Sequence, residues 1–167
     1  MDWLAGGLAV GAGVLVAGGS AKMIAPHAIA VALHQVGLPS SLLGGRLLGV
    51  VEVSLGAAAL VITDSRIGFT VAALYAAFAT LLMVLIRRGT ETPCGCFGAA
   101  GGPPRPGHVA IDLVLGALAL WAGAESAPAS YDLVAVDRAS GLVVLSAAIF
   151  VTLLVVWAFT RSKPQRG

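Results

Sequence analysis

Residues 41–62 read SLLGGRLLGVVEVSLGAAALVI. The stretch is long enough to cross a bilayer as a helix, which takes about 20 apolar residues. Ser41, Gly45, Gly49, Glu52, Gly56 and Ala59 fall at spacings of 4, 4, 3, 4 and 3, which gathers them on one helical face. A transmembrane barrel strand would alternate apolar and polar residues instead. The face consists of small residues around a single carboxylate. Glu52 stands about ten residues from either end, near the bilayer midplane at ~1.5 Å per residue. An ionisable group at that depth is costly and usually faces the bundle interior. The small-residue seam therefore turns Glu52 toward closely packed neighbours, where it is protonated or paired. It is a candidate functional residue; the plainer reading is a protonated Glu bonded across helices.

Four other apolar runs flank this one: Trp3–Ala21, Ile67–Ile86, Val109–Gly123 and Leu142–Thr160. The fourth in chain order, Val109–Gly123, is the shortest. The chain has 167 residues, 58% hydrophobic and only 11% charged, with mean hydropathy +0.95. Soluble domains carry about 25% charged residues, so a soluble fold is excluded. The expectation is an all-α membrane protein of five spans in a cell (plasma) membrane. Met1-Asp2-Trp3 lacks the basic start of a signal peptide, so the first run is expected to be a retained helix.

Charge placement gives an orientation. Lys22, Arg46, Arg87, Arg88, Arg105, Arg161, Lys163 and Arg166 fall on one side if all five runs span, against Arg66 and Arg138 on the other. The positive-inside rule then places the N-terminus outside and the C-terminus in the cytoplasm. Lys22 ends the first run. It can snorkel to the headgroups, or serve as the cation nearest in sequence to Glu52. Gly7 and Gly11 on the same run offer a small-xxx-small packing contact. Pro26–Ser41 reads as an interfacial helix and a turn, with His27 and His34 at its surface. Tyr75 and Phe78 in the third run read as packing residues.

Both cysteines of the chain lie in Cys94-Gly95-Cys96-Phe97-Gly98. The surrounding loop, Gly89–Gly107, has six glycines and four prolines and no charge from Thr92 to Pro104. Such a loop is expected to fold against the bundle, which is where non-helical backbone at membrane depth is tolerated. On the charge count it faces the cytoplasm. Two thiols so placed can close into a small, strained disulfide, suited to exchange rather than to stapling. Arg87, Arg88, Arg105 and His108 surround the pair in sequence, and positive neighbours favour the thiolate.

Three readings stand: a redox dithiol, a soft-metal site for copper or mercury with Cys94, Cys96 and His108 as ligands, and a non-catalytic assembly scaffold. Zinc-finger spacing is lacking. His108 and Asp112, four apart, can sit beside the thiols or simply mark a helix start.

These features resemble the MauE (methylamine utilisation) branch of the DoxX-like integral membrane proteins. The resemblance rests on Gly19-Ser20-Ala21-Lys22, on Pro39 with Glu52, on Cys94-Gly95-Cys96-Phe97-Gly98, and on a helix that starts with His108 and Asp112. It covers roughly residues 1–123 as a four-helix membrane domain with its cysteine loop at 89–107. Residues 124–167 would add an outer loop, a further transmembrane helix and a basic tail. The family often has an Arg before the Asp or Asn of the fourth helix; Ile111 stands there.

The resemblance implies a thiol–disulfide redox protein that helps form or deliver disulfides with a thioredoxin-like partner. In the family that partner acts outside the membrane, whereas the charge count puts the loop inside. The expected partners are the lipid bilayer and that protein, with no nucleic acid. Cys94 and Cys96 are the expected redox pair, with Glu52, His108 and Lys22 as proton or charge partners. No cofactor is evident, and a quinone is compatible with the sequence.

Overall fold

The computed structural model describes residues 2–98, 102–125 and 138–160. They form six helices: α1 Asp2–Ile24, α2 His27–Gln35, α3 Leu42–Val61, α4 Ser65–Arg87, α5 Pro106–Ala124 and α6 Arg138–Thr160. No strand occurs among the described residues. α1, α3, α4 and α5 are each long and apolar enough to cross a membrane. Their outward surfaces carry exposed Leu43, Leu47 and Val51 on α3, Phe69 on α4, and Leu113, Val114 and Leu120 on α5. Water would not tolerate so much contiguous apolar surface. The protein is a multi-pass membrane protein.

Local chemistry sets the helix ends. Ser41 caps α3, its hydroxyl accepting from Gly44 N–H at 2.9 Å. Asp64 caps α4 by accepting from Arg66 N–H at 2.8 Å. These caps satisfy backbone donors that have no partner within the helix. α5 begins earlier than its apolar run suggests. Pro106 sits in its first turn, where its fixed φ and missing N–H cost nothing, and Arg105 ahead of it is extended. The helix thereby reaches 19 residues, and the shortest run of the sequence becomes a full crossing length.

The four long helices alternate in direction. α1 and α3 pack along the seam read from the sequence: Gly45, Gly49, Glu52, Gly56 and Ala59 are the buried residues of α3. Ser41 stands outside that buried set as the exposed cap. A Cβ on Gly49 would come within 2.6 Å of Gly19 O, and one on Gly56 within 2.7 Å of Ala12 O. The backbones touch because nothing larger than hydrogen stands between them. α4 and α5 meet in the same way where Gly68 abuts Gly123. Gly7 and Gly11 of α1 serve different neighbours, Leu118 and Tyr75.

α2 is short. Its inner face buries Ile29, Ala30 and Ala32, while His27 and His34 are exposed. α6 lies against α1, where Thr152 Oγ1 donates to Val10 O at 3.4 Å. Its apolar stretch Gly141–Trp157 is shorter than the four spans. The acidic connection expected before it, apart from its ends, and the basic tail after Thr160 lie outside the described residues.

Candidate functional site

The two thiols, a buried ion pair and a second carboxylate meet at the end of the bundle formed by the C-termini of α1 and α4 and the N-termini of α3 and α5. The loop after α4 is pressed onto this end. Gly95 has φ +77° and Gly98 φ +56°, a region that residues with a Cβ rarely adopt. Both also lie hard against backbone: a Cβ on Gly95 would stand 2.5 Å from Ile29 Cα, and one on Gly98 2.8 Å from Ala21 O. Cys94 N–H donates to Gly102 O at 3.2 Å. Arg88 donates to Gln35 O, and Thr92 Oγ1 donates to Gln35 Oε1 at 3.1 Å. The uncharged loop is folded onto the bundle, as its composition suggests.

Lys22 does not snorkel. Its side chain turns inward, 2% exposed, and its ammonium donates to Glu52 Oε2 at 2.8 Å. The same ammonium donates to Cys96 O at 2.8 Å and stands 5.1 Å from the Phe78 ring centroid, within cation–π range. Burying two charges is affordable only when they are paired and hydrogen-bonded. Lys22 meets that condition by joining α1, α3 and the loop through one nitrogen.

Cys94 is fully buried, and Cys96 is partly exposed; both are free thiols. Cys94 has its acidity raised, its pKa falling from 9.0 to about 5. The hydrogen bond from the Cys96 thiol is the largest cause; burial opposes it, and His108 adds a further hydrogen bond and its charge. Cys96 is pushed the other way, well above 9.0, by its hydrogen bond to Cys94, by burial and by the neighbouring thiolate. Of the two thiols, Cys94 is thus the more acidic.

A cavity of about 30 Å³ lies between these groups, with Lys22, Glu52, Tyr75, Cys94, Cys96 and Asp112 supplying its polar and sulfur lining. Tyr75 O–H donates to Gly11 O at 2.7 Å. Asp112 is 6% exposed and its Oδ2 has no hydrogen-bond partner; the same holds for Glu52 Oε1.

The sequence pattern of the family described as Methylamine utilisation protein MauE matches residues 2–125. The chain belongs to the MauE family. The match ends one residue beyond α5, so the family unit comprises the four long helices, α2 and the cysteine loop. No curated protein and no solved structure matches the chain.

In this MauE-family protein, the five residues picked out from sequence, Lys22, Glu52, Cys94, Cys96 and His108, gather at one site. The helix-start reading of Asp112 does not hold. With Pro106 opening α5, Asp112 lies in the second turn, beyond the reach of a helix-terminus effect. It is one turn along from His108 and faces the thiols. Tyr75 and Phe78, read as packing residues, also belong to the site. Their signal was a shared face with spacing of three, which does not tell packing from site. Among the described residues, no group of three or more His, Cys, Asp or Glu stands at metal-holding geometry.

Proposed function

We propose that this protein exchanges disulfides with a thioredoxin-like partner through Cys94 and Cys96. The observation that carries the reading is the asymmetry of the pair: a buried, acidic Cys94 beside a partly exposed Cys96 of raised pKa. In the oxidised pair, Cys96, the less buried residue of the two, is taken as the one a partner thiolate attacks. Attack at Cys96 Sγ breaks the Cys94–Cys96 bond and expels Cys94 as a thiolate. A low-pKa thiol leaves faster, and His108 stabilises the charge it acquires. The partner's second thiolate then attacks its own sulfur in the mixed disulfide and releases Cys96. The partner becomes a disulfide, and two electrons pass to the Cys94/Cys96 pair. Of the two thiol protons the partner gives up, one ends on Cys96 and one in solvent.

The orientation belongs to the same proposal. Lys22 is consumed by its ion pair and drops out of the surface count. Arg46, Arg87, Arg88 and Arg105 remain at the thiol end, with Arg66 at the opposite end. By the positive-inside rule the thiol end faces the cytoplasm. We read α6 as a fifth crossing, because Leu142, Val143, Phe150, Leu153 and Trp157 are exposed along it and need lipid.

Differential alkylation with mass spectrometry tests the exchange. Purified protein is expected to cycle between disulfide and dithiol when mixed with a reduced or oxidised thioredoxin. A pair that stays alkylatable under every condition, or that takes up Cu(I) stoichiometrically without redox cycling, would sink the reading.

A further inference from the structure

The exchange chemistry leaves a proton to be moved in a place water does not freely enter. When the disulfide re-forms, Cys96 must lose its proton before its sulfur can attack a partner's disulfide. When the disulfide opens, Cys96 must regain it. Five elements meet at this point, and each contributes a charged or titratable group. Lys22 comes from α1, Glu52 from α3, Tyr75 from α4, His108 and Asp112 from α5, and the second thiol from the loop. Most are already engaged. Lys22 and Glu52 hold one another at 2.8 Å. Tyr75 donates to Gly11 O. His108 is bonded to Cys94.

Asp112 differs. It makes no ion pair among the described residues, it is more than nine-tenths buried, and its Oδ2 has no hydrogen-bond partner. It lines the cavity that both thiols line. Glu52 Oε1, equally unpartnered, lines it too. A buried acceptor without a donor costs about 1–3 kcal/mol, and more when charged. The cavity of about 30 Å³ exceeds the ~10–15 Å³ a single water needs, and a water there also needs at least two polar partners. Two carboxylate oxygens and two sulfurs supply them.

We propose that Asp112 and Glu52 hold a water molecule against the thiol pair, and that Asp112 exchanges the Cys96 proton through it. On closure of the disulfide, the Cys96 proton passes by way of the water to the Asp112 carboxylate. The Cys96 thiolate then attacks the partner's disulfide, one partner sulfur leaving as a thiolate; Cys94 attacks Cys96 Sγ, and the partner's other sulfur leaves with the electron pair of the broken bond. On opening, the proton returns along the same route. Glu52 anchors the water through Oε1 while its Oε2 holds Lys22. The proposal rests on the thiol–disulfide reading and supplies its proton carrier.

The test isolates closure without a protein partner. Methyl methanethiosulfonate, a far smaller reagent than a protein partner, transfers a methylthio group to the Cys94 thiolate, releasing methanesulfinate, so that closure requires the Cys96 sulfur to be deprotonated. Attack by Cys96 then expels methanethiolate and leaves the Cys94–Cys96 disulfide. Mass spectrometry follows the methylthio intermediate and the closed form against time and pH. The wild-type protein is expected to close rapidly, with a pH limb belonging to a carboxylate. In Asp112→Asn the intermediate is expected to accumulate and closure to slow by about 10²-fold, a usual general-base contribution, with the limb lost. Asp112→Glu is expected to keep the limb but displace it, because the longer side chain enters the place of the water.

Closure of Asp112→Asn at the wild-type rate with an unchanged profile would overturn the proposal. So would a limb left unmoved in Asp112→Glu, which decides the matter if the Asn variant does not fold. A wild-type pair that never closes overturns the thiol–disulfide reading itself, and this proposal with it.

Discussion

Cys94 is buried, yet its hydrogen bonds lower its pKa from 9.0 to about 5, which makes stability depend on pH. Between about pH 5 and 9 the folded Cys94 is a thiolate while the unfolded thiol, at 9.0, keeps its proton. The unfolded chain binds the extra proton, so stability rises with pH across that window and is lost as pH falls through about 5. Cys96, raised above 9.0, acts in the opposite sense only at higher pH. Thermal unfolding in detergent is expected to move to higher temperature from pH 5 to pH 8, and Cys94→Ser to flatten that slope. Thiolate absorbance, titrated on the same sample, is expected to show a midpoint near pH 5.

Lys22 offers a second check at this scale. Lys22→Met leaves the Glu52 charge buried without a cation, a loss of roughly 3–5 kcal/mol. Lys22→Met/Glu52→Leu removes both charges and is expected to recover most of it. Unfolding midpoints of the two variants decide between a paired Glu52 and one already neutral; equal midpoints mean the latter.

At the scale of elements, the loop depends on two glycines whose conformation and surroundings both exclude a side chain. Gly95→Ala forces a Cβ into the backbone of α2 at Ile29, and Gly98→Ala forces one into α1 at Ala21. Each is expected to lift the loop by loss of packing worth about 1–3 kcal/mol and to raise the maleimide reactivity of Cys94 severalfold. An unchanged labelling rate would mean the loop is not seated as described.

The loop and the α3 seam were legible beforehand, because each depends on composition along one segment. A face of glycines around Glu52 can only be a contact surface, and thirteen residues without charge cannot sit comfortably in water. The Lys22–Glu52 contact, the inward turn of Asp112 and the Tyr75 bond to Gly11 O were not legible. They depend on how far α1, α4 and α5 rotate and slide against α3, which pairwise packing sets. The start of α5 was misplaced for a simpler reason: Pro106 and Gly107 look like loop residues, yet a proline in the first turn opens a helix.

The molecule as a whole has two unlike ends. One carries the thiols, α2 and four arginines; the other carries Asp64, Arg66 and Glu125. With Cys94→Ser/Cys96→Ser as background, Ser40→Cys probes the thiol end and Thr63→Cys the opposite end, both exposed positions. In intact cells an impermeant maleimide is expected to label Thr63→Cys and to spare Ser40→Cys until the membrane is opened. The reverse pattern would place the thiols outside.

The bond from the Lys22 ammonium to Cys96 O gives the site a mechanical side. Closing a disulfide across a single glycine re-aims the peptide units between the two sulfurs, the Cys96 carbonyl among them. The ammonium that holds this carbonyl also clasps Glu52, about ten residues deep in α3. It must follow the carbonyl or release it. The one nitrogen that clasps Glu52 thus also holds the backbone between the two sulfurs, as a tether holds both its load and its anchor.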